Sequence, residues 1–347
     1  MNGRSRKTEW ARRVGFGIIA VLYLIVIFAD FLGPYDHMEQ VRGEPSAPAS
    51  SLRFVDQSGN FSFRPFVHPI KLTDPRSLSY TEDPTRSYPI EFLVKGHEYR
   101  LLGLIPAQTH LFGVAAKNDG ESVPRLRLLG ADQLGRDKFS RLVRAMRFSL
   151  LVTPVGALIA VMIGVLIGSI SGYSGKTLDG IFMGATDTMI ALPALILILA
   201  ARAAFPIELS AMTAATMLVL IFGLTGWGEM ARLVRNQVWS LRNREFVLAA
   251  RASGSTESRV VFRHIAPNIA GPVLVQAALM LPAFLLAEVA MSFLGVGLQE
   301  PEPSLGNMLA TAADLIQIEQ RPSGLIAPVM VIMLFLVGIR LLGNQRR

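Results

Sequence analysis

The chain has 347 residues, 51% of them hydrophobic and 17% charged, with a mean hydropathy of +0.42. That balance sets it apart from a soluble domain and points to an integral membrane protein, whose +8 net charge reflects loops on the cytoplasmic side rather than nucleic-acid binding. With no cysteine, disulfides, thiolate metal sites and a cysteine nucleophile are excluded.

Residues 1–13 are polar and basic and read as a cytoplasmic N-terminus; 14–33 form an apolar run long enough for a first transmembrane helix. Gly33-Pro34-Tyr35-Asp36 comes next instead of a small-residue cleavage site, which favours a retained anchor over a signal peptide. Residues 34–129 are expected to be a β-rich extracytoplasmic insertion, starting with a flexible link at 40–52. A hairpin is predicted from Tyr88–Lys95 and Glu98–Leu104 around a Gly96-His97 turn, with further strands at His110–Val114 and Arg125–Leu129. The histidines of this region (His37, His68, His97, His110) have no metal-motif spacing and read as ordinary surface residues. Residues 130–147 are predicted to be an interfacial amphipathic helix, with Arg141, Arg144 and Arg147 opposite Phe139, Leu142, Val143 and Met146.

Five more spans are expected within a transmembrane domain at 148–343. The second runs from Phe148 to Ser171, and Gly164, Gly168 and Gly172 predict close packing against another helix. The third is Gly180–Ala201, bent at Pro193. The fourth runs from Leu209 to about Glu229, the fifth is Ile269–Gly295, bent at Pro282, and the sixth is Leu325–Leu342. Leu305–Ile318 is read as a further amphipathic helix. Counting basic residues places both termini in the cytoplasm, with 172–179 and 230–268 as inner loops; the basic Arg136–Arg147 segment, on the outer side, runs against this. The fold class is thus an all-α polytopic membrane protein of about six helices with a small β-rich domain between helices 1 and 2.

The longest polar interval of the C-terminal half, Arg232–Asn268, holds seven arginines against Glu245 and Glu257. It reads as helix, break, helix. Ala249, Ala250 and Ala252 give the first helix a small-residue surface, Gly254 supplies a left-handed stop, and Ser255 or Thr256 caps the second helix. Such a helix, exposed between two spans, suits a groove on a partner.

Ser174-Gly-Lys-Thr177 invites comparison with a phosphate-binding loop, but Ile170 stands where its first glycine belongs and a membrane span precedes it. Any ATPase is therefore expected on another chain. No histidine lies in a span and no metalloprotease motif is present, so no catalytic residue, metal ligand or cofactor site is assigned. Asp187 and Glu288 stand out as carboxylates within spans. They are candidates for a translocation path, a structural role being favoured for Asp187, and they are also candidates to meet as a pair.

Several stretches together resemble permease subunits of ATP-binding-cassette importers of the oligopeptide/dipeptide/nickel branch, C-type. They are Gly130-Ala-Asp-Gln-Leu-Gly-Arg-Asp-Lys-Phe-Ser-Arg141, Gly172-Tyr-Ser-Gly-Lys-Thr-Leu-Asp179, Arg244 to Gly254 continuing through Phe262 to Asn268, Ala287 to Gly297, and Gly306-Asn-Met-Leu309. The segment ending at Asn268 is similar to the family's EAA loop, except that Leu248 stands at its glutamate, and His264 and Ala266 at its isoleucine and leucine. The resemblance implies coupling to ATPase subunits through Glu245, Ala249, Ala250, Gly254 and Pro267. It implies as partners a second permease subunit in a heterodimer, two ATP-binding-cassette ATPases and an extracytoplasmic solute-binding protein, in a bacterial or archaeal inner membrane. Peptide is the leading solute; nickel or another small solute, or a channel or sensor working through the outer domain, are the alternatives.

Overall fold

The computed structural model describes residues 2–55, 59–101, 103–114, 123–191, 193–204, 206, 210–313 and 322–343. Contacts divide the chain into two units, Met1–Gly17 with Leu150–Met291 and Phe335–Arg347, and Ile18–Ser149 with Ser292–Leu334. Five helices among the described residues are long and apolar enough to cross a membrane. They lie within α1 (Asn2–Ile27), α3 (Lys138–Tyr173), α6 (Ala211–Leu241), the run from Glu257 to Phe293 that ends in α9 (Ala266–Phe293), and α11 (Ser323–Gly343). The short α2 (Ala29–Leu32) comes after the first span.

The expected third span is instead two shorter helices, α4 (Lys176–Ala191) and α5 (Ala194–Arg202), with Pro193 outside both. Proline lacks the N–H that would continue the ladder and disfavours helical geometry in the residue before it. In contrast, α9 passes through Pro272 and Pro282 without a break.

In the first unit the predicted glycine seam is present. A Cβ on Gly164 would fall 2.6 Å from Met230 Cβ, on Gly168 2.5 Å from the Ala231 carbonyl, and on Gly172 2.7 Å from the Arg235 carbonyl. Helix α3 therefore touches α6 backbone to backbone, which only glycine permits. Beside the seam, Ala160, Met230, Val234, Val238, Val260, Ile265, Ile269 and Met280 form one core, and Phe222 stacks on Phe284 at 4.8 Å. Helix α6 starts on Ser210, whose hydroxyl accepts from the Thr213 N–H, and continues past Glu229 to Leu241.

In the second unit, β1 (Arg53–Val55), β2 (Phe61–Val67), β5 (Tyr88–Leu101) and β6 (Ile105–Val114) form an antiparallel sheet in the order β1-β2-β5-β6; β3 (Ile70–Asp74) and β4 (Ser79–Glu82) form a separate hairpin. The β-rich domain is present, but its main hairpin differs from the prediction. Gly96-His97 is no turn: β5 runs through it with a register irregularity between Lys95 and Tyr99, and the chain reverses after Leu101 to pair Leu101 with Ile105. Packing decides this, because a Cβ on Gly96 would lie 2.6 Å from the His110 ring. The predicted strand Arg125–Leu129 is absent. Its backbone is used otherwise, with the Arg127 N–H donating to Ser50 Oγ at 2.9 Å, the Ser50 N–H donating to the Arg127 carbonyl at 2.8 Å, and the fully buried Arg127 guanidinium held by Glu44. Nor is His110 a surface residue. It is 1% exposed, bridges the Asp30 and His97 carbonyls at 3.1 Å each, and stacks on His97 at 4.5 Å. No group among the described residues has three or more side chains placed to hold a metal ion.

The predicted interfacial helix at 130–147 is not a separate element. Residues 130–137 form a loop closed by an Ala131–Asp137 bridge, and Lys138 opens α3, which continues unbroken into the second span. Asp137, fully buried, accepts the Ser140 N–H at 2.7 Å and so caps that helix; burial raises its pKa. The arginine face is satisfied within the unit. Arg136 and Arg141 bind Glu300 at 2.6 and 2.7 Å, and Arg147 binds Asp30 at 2.5 Å. Helix α10 (Leu305–Ala312) carries a Ser304/Asn307 capping box; residues 314–318 of its predicted extension lie outside the described residues.

Candidate functional site

The Arg232–Asn268 interval folds as predicted from Glu245 onward. Helix α7 (Glu245–Ala252) ends at Ser253, and Gly254 has φ +77°. The Gly254 N–H donates to the Arg251 carbonyl at 2.9 Å and the Ser255 N–H to the Ala250 carbonyl at 3.1 Å. This pair of bonds satisfies the last carbonyls of the helix and requires the left-handed residue between them. Helix α8 (Glu257–Val260) then starts at Thr256, which takes the N-cap backbone conformation without a side-chain cap. A wider π-type turn at Val261–Ile265, containing His264, leads directly into α9.

One face of α7 is anchored. Val247 is fully buried in the core with Val260 and Ile265, and Ala250, one turn on, packs against the same cluster. The outward residues are Glu245, Phe246, Leu248, Ala249 and Ala252, with Phe246 and Leu248 42% and 49% exposed. Gly254 and Pro267 are also exposed, and space around Gly254 is open. Of the five predicted coupling residues, four lie on the surface and Ala250 faces inward. Phe246 and the 77% exposed Phe262 add aromatic area that the sequence reading missed. An apolar phenylalanine in an arginine-rich interval was the available signal.

The loop is tied to the spans by charge. Arg251 donates to the Tyr173 hydroxyl at 2.6 Å and stacks over its ring, Tyr173 donates to Glu257, and Arg251 and Glu257 form an ion pair at 3.2 Å. The last residue of α3 thereby joins α7 to α8. Arg242 donates to the Gly172 carbonyl at 3.0 Å, covering the C-terminal end of α3. Arg235 grips Asp179 with Nε, at 2.9 Å, and Nη2. With the Ser171 hydroxyl donating as well, the Asp179 pKa is lowered to about 2, the Arg235 bond being the larger cause. Lys176, the near-miss of a nucleotide loop, opens α4.

The two carboxylates of the spans do not meet as a pair. Asp187 is exposed and bound by Arg232 at 2.5 Å. Glu288 is fully buried within the chain.

The binding-protein-dependent transport system inner membrane component family matches residues 164–345. The oligopeptide transport system permease protein OppC of Bacillus subtilis (strain 168) is 34% identical over 218 residues, 63% of this chain and 69% of that protein. The dipeptide transport system permease protein DppC of Alkalihalophilus pseudofirmus is 36% identical over 220 residues, 63% and 69% of the two chains. Oligopeptide permease OppC of Mycobacterium tuberculosis (strain H37Rv) is 34% identical over 219 residues, 63% and 73%. Among solved structures, a chain of the MetNI methionine ABC transporter in an inward-facing conformation is 19% identical, covering 60% of this chain and 97% of that one, with a TM-score of 0.44.

Proposed function

This chain belongs to the binding-protein-dependent transport system inner membrane component family, as a permease subunit of an ATP-binding-cassette importer, and on that premise we propose that it carries oligopeptides or dipeptides. The identity to OppC and DppC permeases supports peptide as the solute. The observation that carries the coupling role is α7, an exposed helix stopped by Gly254 and roped to α3 through Arg251 and Tyr173. A nucleotide-driven movement of ATPase subunits docked on its outer face would reach α3 through that link and α9 through the continuous turn at Val261–Ile265. Glu245, Ala249, Gly254 and Pro267 touch the ATPase in this reading, and Ala250 sets the angle of the helix.

The assembly has a second permease subunit, two ATPases and an extracytoplasmic binding protein. Both termini and the 230–268 loop face the cytoplasm, the β domain faces outward, and α4 with α5 completes a sixth crossing. The test is uptake of radiolabelled trialanine by cells expressing the full system. Gly254→Glu and Ala249→Arg abolish uptake and ATPase recruitment while the chain still inserts in the membrane; wild-type uptake in both variants defeats the assignment. Uptake that persists without ATP hydrolysis defeats the importer mechanism.

A further inference from the structure

Helices α4, α6 and α9 leave between them a cleft of about 420 Å³, lined by Ile190, Glu229, Arg232, Leu233, Asn236, Gln237 and Gln276. Five of these seven side chains are polar, although two of the helices are membrane spans. Glu229 lies about 27 Å along α6 from Ala211, and Gln276 about 15 Å along α9 from Ala266. The Gln276 amide donates to Glu229 at 3.1 Å, so the two residues share one depth. Leu224 on α6 and Leu274 on α9, 58% and 68% exposed, lie well around their helices from Glu229 and Gln276, by roughly 140° and 200°. The cleft sits where α6 passes from its span into the cytoplasm-facing 230–268 loop, and there the charged and amide side chains of Glu229 and Gln276 face protein or water, not lipid. The cleft therefore marks the side of the chain that is turned away from the bilayer, and the leucines mark the side turned toward it.

The charges in the cleft are unequal. Arg232 is bound to Asp187. Glu229, among the described residues, takes a hydrogen bond from the neutral Gln276 and is exposed to the cleft. One carboxylate thus stays without a matched cation beside amide groups that both donate and accept. We propose that this cleft is a water-filled subsite of the translocation path that receives an ammonium group flanked by amides, as at the amino end of a peptide, with Glu229 as its counter-charge. Gln276 holds the carboxylate in place, and Asn236 and Gln237 offer bonds to peptide amides. The proposal rests on the peptide-permease reading for the identity of the solute and on the geometry alone for water access and charge preference.

The absence of cysteine makes the native chain its own background for thiol labelling. Asn236→Cys, Gln276→Cys, Leu224→Cys and Leu274→Cys are made singly in the chain expressed with its whole transport system and exposed to membrane-impermeant methanethiosulfonates in membrane vesicles. Thiols react as thiolates, which need water. The two cleft positions are expected to react at least about tenfold faster than the two leucine positions. Equal rates, including burial of the cleft under a neighbouring subunit, overturn the proposal. At Gln276→Cys an ammonium-bearing reagent outpaces a sulfonate-bearing one, and adding Glu229→Gln removes the difference; a preference unchanged by Glu229→Gln overturns the role of that carboxylate. Trialanine uptake is measured in parallel. If the wild type does not take it up while the labelling contrast holds, the peptide reading fails and the polar path stands.

Discussion

Gly168→Ala adds one methyl where α3 meets α6. That Cβ would lie 2.5 Å from the Ala231 carbonyl oxygen, 2.8 Å from Val234 Cβ and 3.0 Å from the Arg235 nitrogen. Two of the three are backbone atoms of α6 and cannot swing aside. Ordinary contact starts near 3.4 Å, so the helices must part by about 0.9 Å, the difference between 3.4 and 2.5 Å. Overpacking of this kind costs about 1–3 kcal/mol. Replacing a mid-helix glycine returns up to about 1 kcal/mol of helix propensity. The net expectation is a loss of about 1–2 kcal/mol, read as a shift in the denaturation midpoint of the detergent-solubilised complex. Gly184→Ala is the control. Nothing lies within 4 Å of its added Cβ, so only the propensity gain remains and stability holds or rises. A Gly168→Ala protein as stable as the control would refute the claim that backbone contact along this seam sets the spacing of α3 and α6.

Three further outcomes concern the loop and the buried or paired carboxylates. Val247→Ala removes two methyl groups from a fully buried site and should cost about 2 kcal/mol; because Val247 is the anchor of α7, peptide-stimulated ATP hydrolysis should fall while membrane insertion, measured by protease protection, does not. The Asp179 carboxylate is lowered to about 2 by Arg235 and Ser171, so its contribution to stability is present above the ordinary carboxylate range near 3.8 and is lost only as pH falls through about 2. The stability gap between wild type and Asp179→Asn should therefore be the same at pH 8 and pH 5, and a gap that closes over that interval would show that the Arg235 pair is not what holds Asp179. Asp137 has the opposite sign. Burial raises its pKa, so its ionised form is the disfavoured one and the fold loses stability as pH rises through that value. Asp137→Asn keeps an acceptor for the Ser140 N–H without the buried charge and should match or exceed wild type in thermal unfolding at pH 8, whereas Asp137→Ala removes the cap and should lose about 1 kcal/mol.

The parts of the fold legible in the sequence are those fixed by local chemistry. The glycines at 164, 168 and 172 predicted a close helix contact without naming the partner, and α6 proved to be it. Gly254 predicted a left-handed stop and adopts one. The features that escaped were decided by packing between distant segments. Gly96-His97 carries a turn signature, yet Gly96 lies against the His110 ring inside a strand, and the actual reversal after Leu101 uses Gly103, at φ +76°, a lone glycine within an apolar run. Pro193 and Pro282 look alike as bends in apolar runs. Around Pro282 the helix is held, with Leu285 and Glu288 fully buried and Phe284 stacked on Phe222, and it continues. Around Pro193 the described neighbours Ala191 and Ile196 are exposed, and the helix divides.

Helix α7 shows the same division within eight residues. Composition supplied three alanines and suggested one flat docking face. A helix repeats every 3.6 residues, however, so Val247 and Ala250 share a side, and that side is taken by the core with Val260 and Ile265. Ala249 and Ala252 then fall on the outer side together with Glu245 and Leu248. An arginine at position 250 would therefore disrupt the core of the first unit before it disturbed any partner, and loss of uptake in that variant would say nothing about docking. An arginine at 249 leaves the Val247 anchor and the Tyr173–Arg251 link in place, so loss of ATPase recruitment there reports on the docking surface itself. If Ala249→Arg recruits ATPase normally, the partner contact does not include Ala249, and the exposed Phe246 and Phe262 become the residues to change next.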